Sequence, residues 1–229
     1  MQLSGRRFLI IGAGGAFGRL ISEALIERGS AVIGTARNND SAANLPEQLS
    51  QKLLLDLESP ESINTLVEYL TSADVQIDGI INTAGRVGFG SIAETTIEDS
   101  QRLMQINHFG PSQVIVGLMP QLAKSTNEPF VLSITGVVAE KVFPGMAAYT
   151  TSKTAHSTWL KGLALEARRQ KIRVIDTRPG HTETGLATRP LFGTAPAFAQ
   201  GMGPQHVVDV IINAIENGIT ELSSDSFNS

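Results

Sequence analysis

The sequence predicts a single α/β domain, a doubly wound and mostly parallel sheet of about seven strands with helices on both faces. Three observations predict it. Strand-like and helix-like segments alternate from end to end, the pattern of successive βα units. The strand-like runs are short and continuously apolar, as strands covered on both faces are. No linker, repeat or low-complexity tract interrupts residues 1–229, a length that suits one domain carrying both halves of a site.

Each element has its own signal. Phe8-Leu9-Ile10-Ile11 is an apolar run stopped by glycine, a buried first strand. Leu20, Ile21, Ala24 and Leu25 recur at helical spacing until Gly29, which suits the residue just past a helix end. Ala31–Thr35 reads as strand two and Leu53-Leu54-Leu55 as strand three. Ser59-Pro60-Glu61 places a capping hydroxyl before a proline at the first helical position. Gly79-Ile80-Ile81 gives strand four, and Thr95 to Glu98 has capping-box spacing ahead of a long helical stretch. Phe130–Thr135 and Ile172–Thr177 read as strands five and six, with a helix from about Ala148 to Gln170 between them. Past Pro179-Gly180 an irregular stretch runs to Gly203, followed by a helix near His206–Glu216 and a short last strand.

Composition narrows the function. The net charge is −4 and the basic residues are scattered, unlike the clustered footprint of a nucleic-acid binder. Zero cysteines excludes disulfides, thiolate catalysis and thiolate-held metals. His108, His156, His181 and His206 lack ligand spacing, so no metal is expected. No apolar run approaches a membrane span. Arg6-Arg7 before an apolar run is similar to a twin-arginine export signal, but the run is short and passes into a Gly-rich turn, so the cytoplasm is the expected location.

Three motifs carry chemistry. Gly12-Ala13-Gly14-Gly15-Ala16-Phe17-Gly18 lies between strand one and helix one, where a dinucleotide pyrophosphate needs bare backbone N–H groups and no obstructing side chain. This is the Rossmann-type arrangement. At the end of strand two, Ala36 stands where an NAD-selective fold places an acid, and Arg37 can pair with a 2′-phosphate through its planar fork. NADP(H) is therefore expected in preference to NAD(H). Tyr149 and Lys153 are four apart on a helix and share a face. An ammonium beside a phenol favours the phenolate, so the Tyr149 pKa is expected to fall and make it a general acid/base.

Taken in order with Asp56, Asn82-Thr83-Ala84-Gly85, Asn107 and Pro179-Gly180 followed by Thr184, these motifs resemble the short-chain dehydrogenase/reductase family, in its short single-domain branch, over nearly the whole chain. The resemblance implies that Gly12, Gly14 and Gly18, with Gly15, Ala16 and Phe17 beside them, cradle the pyrophosphate. It implies that Asp56, next to Leu57, bonds the adenine, and that Asn82, Ala84 and Gly85 line the adenosine ribose. Tyr149 then exchanges a proton with the substrate oxygen, Lys153 holds the nicotinamide ribose, and Asn107 anchors a relay water. Thr184 binds the carboxamide, with Pro179, Gly180 and Thr182 in the same loop. It also implies a homodimer or homotetramer built through the helices bearing Asn107 and Tyr149.

The sequence departs from the family at one telling place. The family carries a catalytic serine thirteen positions before the tyrosine, and here that residue is Gly136. Losing one positioned donor costs on the order of a hundredfold in rate. Ser133, Thr135 and His181 are the candidates to replace it. Ala16 and Thr83 are smaller departures, where the family favours glycine and a second asparagine. Val142–Met146 and Leu186–Met202 are apolar apart from Arg189, and are expected to wall a pocket for a neutral carbonyl or alcohol; a disordered lid is the alternative. The leading function is hydride transfer between NADP(H) and a carbonyl/alcohol pair. Its rivals are a cofactor-binding regulator that lost fast chemistry at Gly136, and an epimerisation or dehydration on the same fold.

Overall fold

A computed structural model describes residues 1–228, in which seven strands form one wholly parallel sheet. In chain order they are β1 (Arg7–Ile11), β2 (Ala31–Ala36), β3 (Gln51–Leu54), β4 (Gly79–Asn82), β5 (Phe130–Ile134), β6 (Arg173–Thr177) and β7 (Glu221–Leu222). Their spatial order is β3-β2-β1-β4-β5-β6-β7, so the winding direction reverses between β1 and β4. The helices are α1 (Ala16–Glu27), a single turn α2 (Asn39–Ala42), α3 (Pro60–Ser72), α4 (Ile97–Met104), α5 (Gly110–Lys124), α6 (Ala147–Ala167) and α7 (Pro204–Asn217).

The apolar runs are continuous because the sheet is covered twice. Phe8 and Ile10 of β1 pack with α1 and α7, through Ile21, Leu25, Ile211 and Ile215. Leu9 and Ile11 point the other way, against Leu66 of α3, Leu118 of α5 and Leu160 of α6. Burying each such side chain contributes about 1.5–3 kcal/mol, so alternate residues of one strand tie both helical layers to the sheet.

Local signals set the ends. Gly29 follows α1 with φ +79°, the left-handed turn that glycine takes without penalty. The Ser59 hydroxyl accepts the Ser62 N–H and Pro60 opens α3. Two boundaries fall elsewhere than expected. β3 begins at Gln51, because an edge strand alternates and leaves Leu54 48% exposed, so the Leu53–Leu55 run marks only its end. The cap before α4 is Thr96, whose hydroxyl accepts the Asp99 N–H, one residue beyond the expected Thr95–Glu98 box.

Between α4 and α5 the backbone widens into a π-turn over Gln105–Phe109. Pro111 has no N–H to give the carbonyl four residues back, which is that of Asn107, and the ladder slips by one residue there. The slip buries Asn107 completely.

Candidate functional site

A cleft of about 760 Å³ opens at the carboxyl ends of the central strands, where the winding reverses. Gly12, Gly14, Gly15, Ala16 and Phe17 form one end, and Arg37, Asp56, Leu57, Ala84 and Gly85 continue the wall. Gly136, Tyr149, Lys153, Pro179, Gly180, Thr182 and Thr184 line the other end.

The glycine turn is shaped for close approach. Gly12 has φ +83°, and a Cβ there would sit 3.0 Å from the Ala84 backbone. Gly18 does not line the cleft; a Cβ on it would collide with the Gly12 carbonyl, so its role is to let α1 pack under the turn. At the start of α1 no side chain caps the N–H groups and its first turn holds no acid, among the described residues. Bare donors and the positive end of a helix thus face the cleft, which fits a dinucleotide diphosphate. Ala16 occupies the first helical position and lines the cleft without closing it.

Around the adenosine end, Arg37 is in no ion pair among the described residues and faces the cleft. One Asp56 oxygen accepts the Glu58 N–H at 3.0 Å, so this carboxylate closes a turn as well as lining the cleft. Asn82 stands behind the surface. Its Oδ1 accepts the Ala84 N–H at 3.2 Å, while Nδ2 is buried with no partner among the described residues. The Thr83 hydroxyl donates to the Ile11 carbonyl, tying β4 to the glycine turn.

At the other end, α6 places Tyr149 and Lys153 one turn apart, both buried. Lys153 Nζ donates to the Ile134 carbonyl at 2.9 Å. Asn107 Nδ2 donates to Ser152 Oγ at 2.9 Å and to the Arg86 carbonyl at 2.8 Å, while its Oδ1 accepts the Arg86 N–H. Ser152, which no sequence motif singled out, donates in turn to the Tyr149 carbonyl at 2.7 Å. A Cβ on Gly85 would lie 3.1 Å from Lys153 Nζ and 3.3 Å from Asn107 Oδ1, so the lysine and asparagine meet behind that glycine.

The expected fall in the Tyr149 pKa does not occur. Burial pushes the phenol up to about 12. Burial also pushes the Lys153 ammonium down to about 8, with the Asp176 carboxylate opposing. The reason is geometric: the ammonium is directed at a backbone carbonyl, and desolvation of the phenolate dominates. At neutral pH Tyr149 is therefore a neutral phenol, the form that gives up a proton.

Gly136 lines the cleft with φ +82° and ψ 163°, a conformation essentially confined to glycine. Of the three candidate replacements, two are engaged elsewhere. Ser133 Oγ is 3.1 Å from His156 Nε2, in a buried pair beneath α6. Thr135 Oγ1 donates to Asp176 Oδ1 at 2.6 Å, in a network that includes Ser157 and Arg178. His181 also lines the cleft, its ring stacked on Phe198 at 4.7 Å.

Both apolar segments meet the cleft, through Phe143 and Met146 on one side and Leu186, Ala187 and Phe198 on the other. The stretch after Gly180 is held rather than loose. Leu191 N–H donates to the Val87 carbonyl and Phe89 N–H to that of Phe192, while Arg86 Nη2 reaches the Arg189 carbonyl. Arg86 was not anticipated; its only sequence signal was its place directly after Gly85. The remaining histidines lie apart. His156 is buried and stacks on Trp159, and His206 bonds the Phe227 carbonyl.

With this arrangement in view, residues 6–190 match the family described as short chain dehydrogenase. The chain belongs to the short-chain dehydrogenase/reductase family. Its members use a nicotinamide cofactor, and the cleft fits one. Glycine betaine reductase ATRR of Emericella nidulans is 28% identical over 93% of the chain, which spans only 18% of that protein's length. A short chain dehydrogenase from Burkholderia cenocepacia in complex with NADP has the same fold, with TM-score 0.82, 23% identity, and 97% of this chain and 89% of that one covered. So does 3-ketoacyl-(acyl-carrier-protein) reductase from Brucella melitensis complexed with NADH, with TM-score 0.83, 20% identity, and 96% and 97% covered. No described helix is long and apolar enough to cross a membrane.

Proposed function

We propose that this short-chain dehydrogenase/reductase is an NADP(H)-dependent carbonyl reductase in which Tyr149 is the acid. The observation that carries the reading is the pairing of Tyr149 and Lys153 on one buried turn of α6, at the far end of the cleft from the uncapped start of α1. When bound, the nicotinamide supplies the hydride carbon. Tyr149, a neutral phenol at pH 7, delivers its proton to the substrate oxygen. Lys153, one turn along α6 and bonded to the Ile134 carbonyl, keeps a positive charge at this end of the cleft, and Asn107 fixes the turn carrying Gly85 and Arg86 against α6.

Arg37, at the end of β2 beside Ala36 and in no ion pair among the described residues, supports NADP(H) over NAD(H). Asp56, Leu57, Ala84 and Gly85 bind the adenosine, Gly12 to Phe17 the diphosphate, and Pro179, Gly180, Thr182 and Thr184 the nicotinamide end. The walls formed by Phe143, Met146, Leu186 and Phe198 support a neutral, apolar carbonyl or alcohol. Phe109, Val116 and Leu165, exposed on the helices around Asn107 and Tyr149, support a homodimer or homotetramer, and light scattering on the purified protein tests the assembly.

The test is NADPH oxidation with a panel of aldehydes, ketones and quinones, comparing wild type with Tyr149→Phe. Turnover that collapses in Tyr149→Phe is expected. A second reading follows from the engagement of Ser133 and Thr135: without a carbonyl-orienting hydroxyl the protein is a cofactor-binding regulator. Tight NADPH binding with no turnover of any carbonyl would favour it.

A further inference from the structure

We propose that Asp176 is a positioning residue for Lys153: its buried carboxylate joins the strand end that receives the ammonium to the helix that carries it, and supplies the negative charge that balances it. The proposal rests on the reductase reading above, in which the charge on Lys153 matters. Lys153 is buried, and its Nζ donates to a neutral acceptor, the Ile134 carbonyl, at 2.9 Å. A buried cation with only a backbone dipole as partner sheds its proton readily unless a fixed negative charge stands near.

Asp176, on β6 and itself buried, reaches both sides of that contact. Its Oδ1 accepts the Thr135 hydroxyl at 2.6 Å, and Thr135 directly follows Ile134. Its Oδ2 accepts the Ser157 hydroxyl at 2.6 Å, and Ser157 lies one turn beyond Lys153 on the same face of α6. One carboxylate thus fixes the acceptor carbonyl and the lysine's own helix against each other. Short bonds to an ionised acceptor of this kind are strong ones.

Arg178 does not cancel the charge. Its guanidinium donates to Asp176 Oδ2 at 2.8 Å, but also to Glu140 Oε1 at 2.6 Å and to Glu221 Oε1 at 2.7 Å. One cation therefore serves three carboxylates, and the cluster keeps a surplus of negative charge. In keeping with this, burial lowers the Lys153 pKa to about 8 and the Asp176 carboxylate opposes the fall. The other titratable groups around Lys153 are Tyr149 and His156 on α6 and His108 on the π-turn. Burial holds the phenol up at about 12, the His156 imidazole down at about 3 and His108 below its usual value, so none of the three changes charge between about pH 7 and 9.

The test reads Lys153 itself. The full chain is labelled with carbon-13 at the lysine ε position, the Lys153 resonance is the one missing from Lys153→Met, and its titration is followed by NMR. Asp176→Asn keeps the shape of the side chain and removes its charge. The Lys153 midpoint is expected to fall from about 8 to about 7, and the alkaline limb of kcat for NADPH-dependent carbonyl reduction to fall with it. Glu140→Gln takes one charge from the same cluster nearer the surface, and should move the midpoint the same way by less. Loss of packing alone would lower kcat at every pH and leave the midpoint in place. A midpoint that stays at about 8 in both variants overturns the proposal whatever turnover does, and Glu140→Gln decides alone if Asp176→Asn does not fold. If the midpoint falls but Tyr149→Phe keeps wild-type turnover, the link between Asp176 and Lys153 stands and the reductase reading fails.

Discussion

The two ends of the cleft are built by different means. At the end bearing the glycine turn, the surface offered to a ligand is backbone: the turn at Gly12, the close approach to Ala84 and the uncapped start of α1. At the other end it is made by side chains on irregular segments, Phe143 and Met146 with Leu186, Phe198 and His181. Backbone recognition demands glycines at fixed offsets, and so leaves a spacing that can be read from sequence. Side-chain recognition leaves none, because loop residues reach one another through the fold. The difference teaches where this chain is constrained: at Gly12 and Gly18 the first end has no room for an added atom, while the second is set by side chains on loops.

Predictions that break or sharpen this contrast run from large to small. Lys153→Met is expected to lower turnover by about a hundredfold, through loss of a preorganised charge. It should also raise the melting temperature, because burial holds the ammonium down at about 8 and its charge at pH 7 is a cost that methionine removes. A fall in both would contradict the account. Gly18→Ala forces a Cβ onto the Gly12 carbonyl, and overpacking of this kind costs about 1–3 kcal/mol. Chemical denaturation and NADPH titration should show both stability and affinity reduced.

At the other end, Gly136→Ser imposes a side chain on φ +82°, ψ 163°, a strain of about 1–3 kcal/mol. Lower stability with no gain in carbonyl reduction is the expected result; a gain would show that the backbone relaxes to accept a serine. His156 gives a pH signature. Burial, reinforced by Lys153 and His108, lowers its pKa to about 3 from 6.5. Its neutral form is therefore favoured in the folded state, and the stability this contributes is complete above pH 6.5 and is lost as the pH falls toward 3. Between those values His156→Gln should flatten the acid-side loss of stability, an effect on the order of 2 kcal/mol by about pH 5. The smallest effect is at Arg37, where Arg37→Ala should weaken NADPH binding about tenfold and leave NADH unchanged, if the guanidinium meets only the 2′-phosphate.

Much of the fold was legible because both helical layers impose continuous apolar strands, and because Gly29, Ser59 and Pro60 mark helix ends by local chemistry. β3 was misplaced because it is an edge strand with one face open. The site was legible as a set of positions but not as electrostatics. Tyr149 and Lys153 share a helical face as their spacing requires, yet the sequence cannot show that Nζ is directed at Ile134 or that burial outweighs its charge. Nor can it show which way Ser133 and Thr135 turn, since their partners, His156 and Asp176, come from other elements. Ser152 and Arg86 were missed for the same reason: their roles exist only once α6 and the β4 turn are brought against Asn107.

The central claim is that one cleft binds the cofactor by backbone and reduces a carbonyl through Tyr149. It is tested most directly by measuring NADPH affinity and carbonyl-dependent turnover together in wild type and Tyr149→Phe. The account predicts equal affinity in the two proteins and a loss of turnover by about a hundredfold or more in the variant. Turnover that survives the substitution, or an NADPH affinity that collapses with it, would contradict the account.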